Sequence, residues 1–224
     1  MNADLEIDHV FVCVAPGAPE AGLLAREGLR EAYRRRHPGQ GTANVCYAFD
    51  NAYLELLWAE DWDAIAAPAV ARTRLAERAA WEAYRASPFG IAVRGGAADG
   101  SLPFATWDYA APFLPAGETI PVALASEDPA QPFLFRTPGG ERPDRWQDRR
   151  AGARQRPIGL AEIVGLRLDF PSAVTPAPAV AALADAGLIT LGTAGAVPRI
   201  TLTLSRTKPG PPRTLVLPDC TVSA

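Results

Sequence analysis

The sequence is poor in several residue types that carry chemistry. Lys208 is its only lysine and sits in the run Thr207-Lys208-Pro209-Gly210-Pro211-Pro212, which argues against a mechanism built on a lysine base or a Schiff base. Cysteine occurs three times, at Cys13, Cys46 and Cys220, with no CxxC spacing. That is not the even framework of a small disulfide-stapled domain, and it fits a reducing compartment. No apolar run approaches the roughly 20 residues of a membrane helix, and the start, Met1-Asn2-Ala3-Asp4-Leu5-Glu6, has no basic stretch ahead of an apolar one. A cytoplasmic location is expected, with no membrane partner. Positive charge is not in excess either: 22 basic against 25 acidic side chains leave a net charge of -3, which gives nucleic acid no electrostatic hold.

What remains is 224 residues, 48% hydrophobic and 21% charged, the balance of one compact domain or two small modules. Residues 7–14 read as a strand that is apolar on both parities. Pro19 then opens a helix with an apolar stripe of Ala21, Leu24, Ala25, Gly28, Leu29 and Ala32. After the basic run Arg34-Arg35-Arg36 comes the turn His37-Pro38-Gly39-Gln40-Gly41, then strands over 42–49 and 52–58. The alanine-rich stretch 68–86 predicts one helix. Short strands follow over 89–94, 105–109, 120–125 and 132–136. Residues 139–157 are charged and proline-punctuated, with Trp146 the only large apolar side chain, the pattern of a mobile or partner-facing loop.

The last third repeats the order of the beginning: a strand over 163–170, a helix over 178–186 ended by Gly187, and further strands. Glu6-Ile7-Asp8-His9-Val10 aligns with Glu162-Ile163-Val164-Gly165-Leu166, which suggests a duplication. The expected organisation is a first module over 1–60, a connecting helix over 61–87, a β-rich middle module over 88–138, a charged loop over 139–157, and a second full module with a tail over 158–224.

Two polar residues stand where apolar ones are expected. Glu55 lies inside Tyr53-Leu54-Glu55-Leu56-Leu57-Trp58, where an unpaired buried carboxylate would cost several kcal/mol. His9 shares a strand face with Phe11 and Cys13, opposite Val10, Val12 and Val14. If the helix covers the valines, His9 looks into whatever cavity the other face encloses. The plainer reading is a satisfied hydrogen-bonding pair or an exposed edge. Cys13 is four residues from His9, about 13 Å along a strand, too far to act with it as nucleophile and base; Cys13 and Cys46 read as buried structural thiols. Gly39-Gln40-Gly41 lacks the Lys-Ser/Thr of a phosphate loop and reads as a turn that needs glycine angles, with Thr42 and Asn44 bonding locally.

Ile7-Asp8-His9-Val10, the later His37-Pro38-Gly39-Gln40-Gly41-Thr42-Ala43-Asn44, and Asn51-Ala52-Tyr53-Leu54-Glu55-Leu56 together resemble the glyoxalase-like domain of the vicinal oxygen chelate superfamily. The likeness is good over about the first 60 residues. It implies an α+β fold in which βαβββ modules pair into a curved, mixed but mostly antiparallel sheet around a cavity, with helices on the convex side. It further implies a divalent metal (Ni, Co, Zn, Mn or Fe) held by His9 and Glu55, with Glu55 also moving protons in isomerase, lyase or dioxygenase chemistry. His37 is a possible third ligand.

Beyond these the ligand set is incomplete, because Gly165 stands at the repeat position of His9, Gly90 or Ala92 in the middle strand, and threonines in the last strands. Arg94, Trp107, Tyr109 and Asn44 are the candidate substrate contacts, and an arginine beside the cavity would suit a carboxylate. The alternative is a metal-free module that binds or sequesters a small molecule. A weaker third idea is a structural duplicate that acts through a partner by way of Trp146. A homodimer is plausible.

Overall fold

The computed structural model describes residues 5–96, 101–150 and 152–223; the first four residues, read above as lacking a basic stretch, lie outside them. The first unit runs β1 (Glu6–Cys13), α1 (Ala21–Arg26), β2 (Tyr33–His37), β3 (Thr42–Ala48) and β4 (Tyr53–Ala59). Four single-turn helices follow, α2 (Trp62–Ile65), α3 (Pro68–Ala71), α4 (Leu75–Ala79) and α5 (Trp81–Tyr84). Next come β5 (Phe89–Arg94), β6 (Thr106–Tyr109), β7 (Ile120–Ala123) and β8 (Phe133–Arg136). The chain then forms β9 (Leu160–Pro171), α6 (Pro178–Asp185), β10 (Thr190–Ala194), β11 (Arg199–Arg206), β12 (Arg213–Leu217) and β13 (Thr221–Ser223).

The first eight strands make one sheet in the order β2-β3-β4-β1-β5-β8-β7-β6. Its two halves are alike. In each, the first strand pairs in parallel with the last, β1 with β4 and β5 with β8, and the halves meet where β1 runs antiparallel to β5. The partner of the first unit is therefore the middle segment, not the last third. The last third does have the expected strand, helix, strand order, but it pairs differently. β9 lies between a parallel β10 and an antiparallel β11, in a separate sheet of order β10-β9-β11-β12-β13.

This second sheet covers the face away from the cavity. Val10, Val12, Val45, Leu54, Leu56, Ile91 and Leu134 share one buried cluster with Leu24 and Leu29, and with Leu166, Leu168, Ile200, Leu202, Leu215 and Leu217 of the five-stranded sheet. The mixed α+β architecture is the expected one, but the outer layer is a sheet plus α1 and α6 rather than helices alone. A strand pair presents a flatter apolar surface than a helix, and the alternation in β11, where Ile200, Leu202 and Leu204 are buried between more exposed neighbours, is what such a layer needs.

Two helices predicted as long are short, for readable reasons. The stripe that begins at Ala21 stops at Arg26 because Gly28 takes φ +85. The Leu29 amide then bonds the Leu24 carbonyl, and the Gly28 amide bonds that of Ala25. This is a glycine-terminated helix end whose two flanking leucines are both buried. The helix predicted over 68–86 is broken at Arg74, φ 57, and at Ala80, φ -110 and ψ 39, and ends at Arg85, φ 52; Val70 and Leu75 thereby join Ile65 of α2 in one cluster with Phe11, Cys13 and Leu57. Arg78 of α4 is fully buried and donates to the carbonyls of Ser87, Ser126 and Gln131. Packing across the end of the cavity outweighs alanine's helix propensity here. β2 was not anticipated: its exposed arginines hide an edge strand paired with β3.

Gly41 fixes the β2–β3 turn. It has φ +78, and a Cβ there would lie 2.3 Å from the Asp61 carbonyl oxygen and 2.6 Å from the Ile65 nitrogen, whereas Gly17, with φ +80, has nothing within 4 Å. Gly17→Ala is expected to cost about 1 kcal/mol from backbone strain alone, and Gly41→Ala about 3 kcal/mol because α2 must also move. Urea denaturation of the two variants checks the difference.

Candidate functional site

A cavity of about 760 Å³ opens on the face of the eight-stranded sheet away from the second sheet. Alternation decides what reaches it. β1 presents His9 and Phe11, β4 presents Tyr53, Glu55 and Leu57, β3 presents Asn44, and β2 presents Tyr33, Arg35 and His37. From the other half come Tyr109, Ile120, Phe133 and Phe135. The polar groups thus sit on the first half and an apolar wall on the second.

His9 and Glu55 lie on neighbouring parallel strands, offset by two residues, since His9 is in register with Tyr53 and Phe11 with Glu55. Their side chains meet, with His9 Nε2 3.5 Å from Glu55 Oε2. Each is held from behind. Asp8 Oδ1 is 2.7 Å from His9 Nδ1, which keeps the imidazole proton on Nδ1 and turns Nε2 to the cavity. Asn44 Nδ2 donates to Glu55 Oε1 at 2.6 Å. The imidazole is stacked on Tyr53, ring centroids 4.3 Å apart, with Phe135 at its edge.

Asn44 and Tyr109 line the cavity as expected of substrate contacts, but Arg94 and Trp107 do not. Arg94 is buried and works behind the site, bonding Asp8 Oδ2 at 3.3 Å, Glu6 Oε2 at 2.6 Å and the Asn51 carbonyl at 2.6 Å. It positions Asp8, which positions His9. Trp107 lies under the Arg72 guanidinium, 4.3 Å from its ring centroid, at the outer end of β6.

His37 is not a loose turn residue. It ends β2, is buried, and has Nδ1 2.9 Å from Thr42 Oγ1. Gln40 Nε2 donates to the same hydroxyl at 2.8 Å, and Gln40 Oε1 accepts from the Tyr109 hydroxyl at 3.0 Å, so a hydrogen-bonded chain crosses the cavity from one half to the other. Burial pushes the His37 pKa down to about 4, which keeps it neutral at pH 7. Burial also pushes the Cys13 thiol up to about 12 and raises that of Cys46, so neither is a thiolate nucleophile at neutral pH.

The charged segment after β8 closes the mouth. Trp146 is buried, donates Nε1 to the Glu141 carbonyl at 3.1 Å, and packs against Tyr33 and Tyr53 with the Arg150 guanidinium 4.2 Å from its ring centroid. Asp50 holds the end of the segment through Arg154 and Arg156. Sequence reasoning found Trp146 but placed it toward a partner; a lone tryptophan in a charged run was the available signal. Tyr33 and Arg35 had none, because β2 itself was unread.

A model of the glyoxalase-like domain family matches residues 7–169, well over half of the chain and all eight strands around the cavity. The chain belongs to this family. No curated protein matches it. In this glyoxalase-like domain the donors for a metal are few. Among the described residues no three His, Cys, Asp or Glu side chains come together as a metal cluster. The positions where the second half would supply further ligands carry Gly90 and Ala92 on β5 and Phe133 and Phe135 on β8. A Cβ on Gly90 would lie 2.0 Å from Phe11 Cε1, so the Phe11 ring occupies that space. About three protein ligands and an open position are the usual need of a catalytic metal, and this donor set does not meet it. Nor does any helix of the described residues have the length and apolarity to cross a membrane.

Two outcomes are expected. Arg94→Met removes a partner of buried Asp8 and should cost about 3 kcal/mol, measured by denaturation. His37 is harder to protonate folded than unfolded, so protons favour the unfolded chain. Its stability contribution, complete above about pH 6.5, shrinks as pH falls toward its folded pKa of about 4, a loss of about 2 kcal/mol between pH 7 and 5. Urea titrations at both pH values should show that part of the slope missing in His37→Gln.

Proposed function

We propose that this chain binds a small organic molecule without a resident metal, gripping a polar group of the ligand between His9 and Glu55. The observation that carries this reading is the one-sided cavity. The first half of the sheet supplies an imidazole and a carboxylate 3.5 Å apart, while the second half answers with Phe133, Phe135, Tyr109 and Ile120. The separation is long for a direct hydrogen bond, and with Asp8 holding Nδ1 the two facing atoms are both acceptors unless a proton lies on one of them. A ligand hydroxyl placed there donates its proton to the carboxylate, and it accepts from the imidazole when the shared proton lies on Nε2. The aromatic walls then take the body of the ligand, as is usual in small-molecule sites.

The competing reading is a metal-dependent isomerase, lyase or dioxygenase with His9 and Glu55 as ligands, and one experiment separates the two. Elemental analysis of the purified protein, with titration of Ni, Co, Zn, Mn and Fe(II) into wild type, His9→Ala and Glu55→Ala, is expected to give far less than one equivalent in all three. Near-stoichiometric metal that is lost in both variants would establish the enzyme reading instead. As a positive counterpart, 2-naphthol should bind the wild type, and each of the two variants should weaken it by roughly tenfold, the worth of one hydrogen bond to a charged group, by calorimetry at pH 7.

A further inference from the structure

Three arginines stand in a row on β2, and the sheet treats the middle one differently. Arg34 and Arg36 point away from the cavity and are neutralised, Arg34 by Glu31 at 2.5 Å and Arg36 by Glu60 at 3.0 Å. Arg35 shares its face with Tyr33 and His37 and lines the cavity, where its guanidinium lies 5.3 Å from the centroid of the Phe113 ring. Among the described residues it has no carboxylate partner.

Three of the cavity's four acids are committed elsewhere. Asp8 bonds His9 and Arg94, Glu55 bonds Asn44 and faces His9, and Asp148 pairs with Arg150 at 2.8 Å. Glu141 and Arg149 sit exposed on the closing segment. The wall of the sheet thus carries one uncompensated cation, set over an aromatic ring, the arrangement that pairs with a planar anion.

Position adds a length. Arg35 is in register with Asn44 on β3, and β4 with Glu55 is the next strand. Asn44 is in turn in register with Leu57, so Glu55 lies two strands across from Arg35 and two residues along, about 12 Å between backbones, a gap that a two-ring aromatic with a polar group at each end can span between the two side chains.

We infer that the ligand is an aryl carboxylate or a comparable small aromatic anion, its anionic group on Arg35 and its far polar end between His9 and Glu55. This rests on the small-molecule reading of the cavity and goes further by fixing the charge and polarity of the ligand. The rim position of Arg35 leaves it partly solvated, so its contribution is selectivity of moderate size.

The test uses two probes that differ only in charge, 6-hydroxy-2-naphthoate and 6-hydroxy-2-naphthamide, titrated into the full chain by calorimetry at pH 7 and low salt. The carboxylate is expected to bind about fivefold to tenfold tighter than the amide. Arg35→Gln should bring the carboxylate down to the level of the amide, whereas Arg34→Gln, on the opposite face, should keep the preference. Equal binding of the two probes to wild type, or a preference that survives in Arg35→Gln, would overturn this inference while leaving the cavity reading intact. Failure of both probes and of 2-naphthol to bind would remove the cavity reading and this inference with it. Circular dichroism of Arg35→Gln confirms that an exposed edge-strand substitution has left the fold in place.

Discussion

The seam between β1 and β5 is the constraint on which the site depends. Joining the two halves there places the first strand of each at the centre of an eight-stranded sheet, so the side chains of β1 stand over the middle of the cavity. It also forces the two strands to divide one space. Phe11 fills it from β1, and β5 can offer only Gly90 opposite, since any larger residue would overlap the ring. A ligand side chain from β5 at that point is sterically excluded, and the same packing that seals the sheet keeps the second half apolar.

Around that seam the polar groups form a line of support rather than a cluster. Arg94 holds Asp8, Asp8 holds His9, and Asn44 holds Glu55. Each link removes freedom from the next, so the imidazole and the carboxylate face each other at a set distance. Preorganisation of this kind spares a binding site the cost of ordering its side chains when the ligand arrives. The buried Tyr109–Gln40–Thr42–His37 chain does the same across the two halves, tying a strand at one edge of the sheet to the strand at the other.

Much of this was legible in the sequence where a local pattern and a buried environment agreed. Asp8-His9 before an apolar run and Glu55 inside one were conspicuous because charge is costly there, and strand parity set His9 opposite the valines that α1 was expected to cover. The end of α6 at Gly187 was read correctly. Gly28 carried the same message but was absorbed into an apolar stripe, since its spacing suited a helix as well as a stop. What could not be read was pairing. The order strand, helix, strands at 158–224 is the same string as in the first unit, yet the choice between β9 joining β10 and a later strand is made by tertiary packing on the outer face, which no periodicity records. β2 was missed because three arginines do not look like a strand, although their alternate roles, two paired outward and one turned inward, follow strand geometry. Arg94 was placed in the cavity when its length let it reach the back of Asp8 instead.

The division of the cavity into a polar half and an apolar half separates two tasks that most binding sites mix. His9, Asn44 and Glu55 stand on β1–β4 with their supports, whereas Ile120, Phe133 and Phe135 form an apolar wall opposite. A change of size at Ile120 or Phe133 alters the shape of the cavity without touching the Arg94–Asp8–His9 line, whereas Phe135 lies at the edge of the His9 ring. On the proposed small-molecule reading, Ile120 and Phe133 set the shape of the molecule that fits, and β1–β4 hold the groups that orient it.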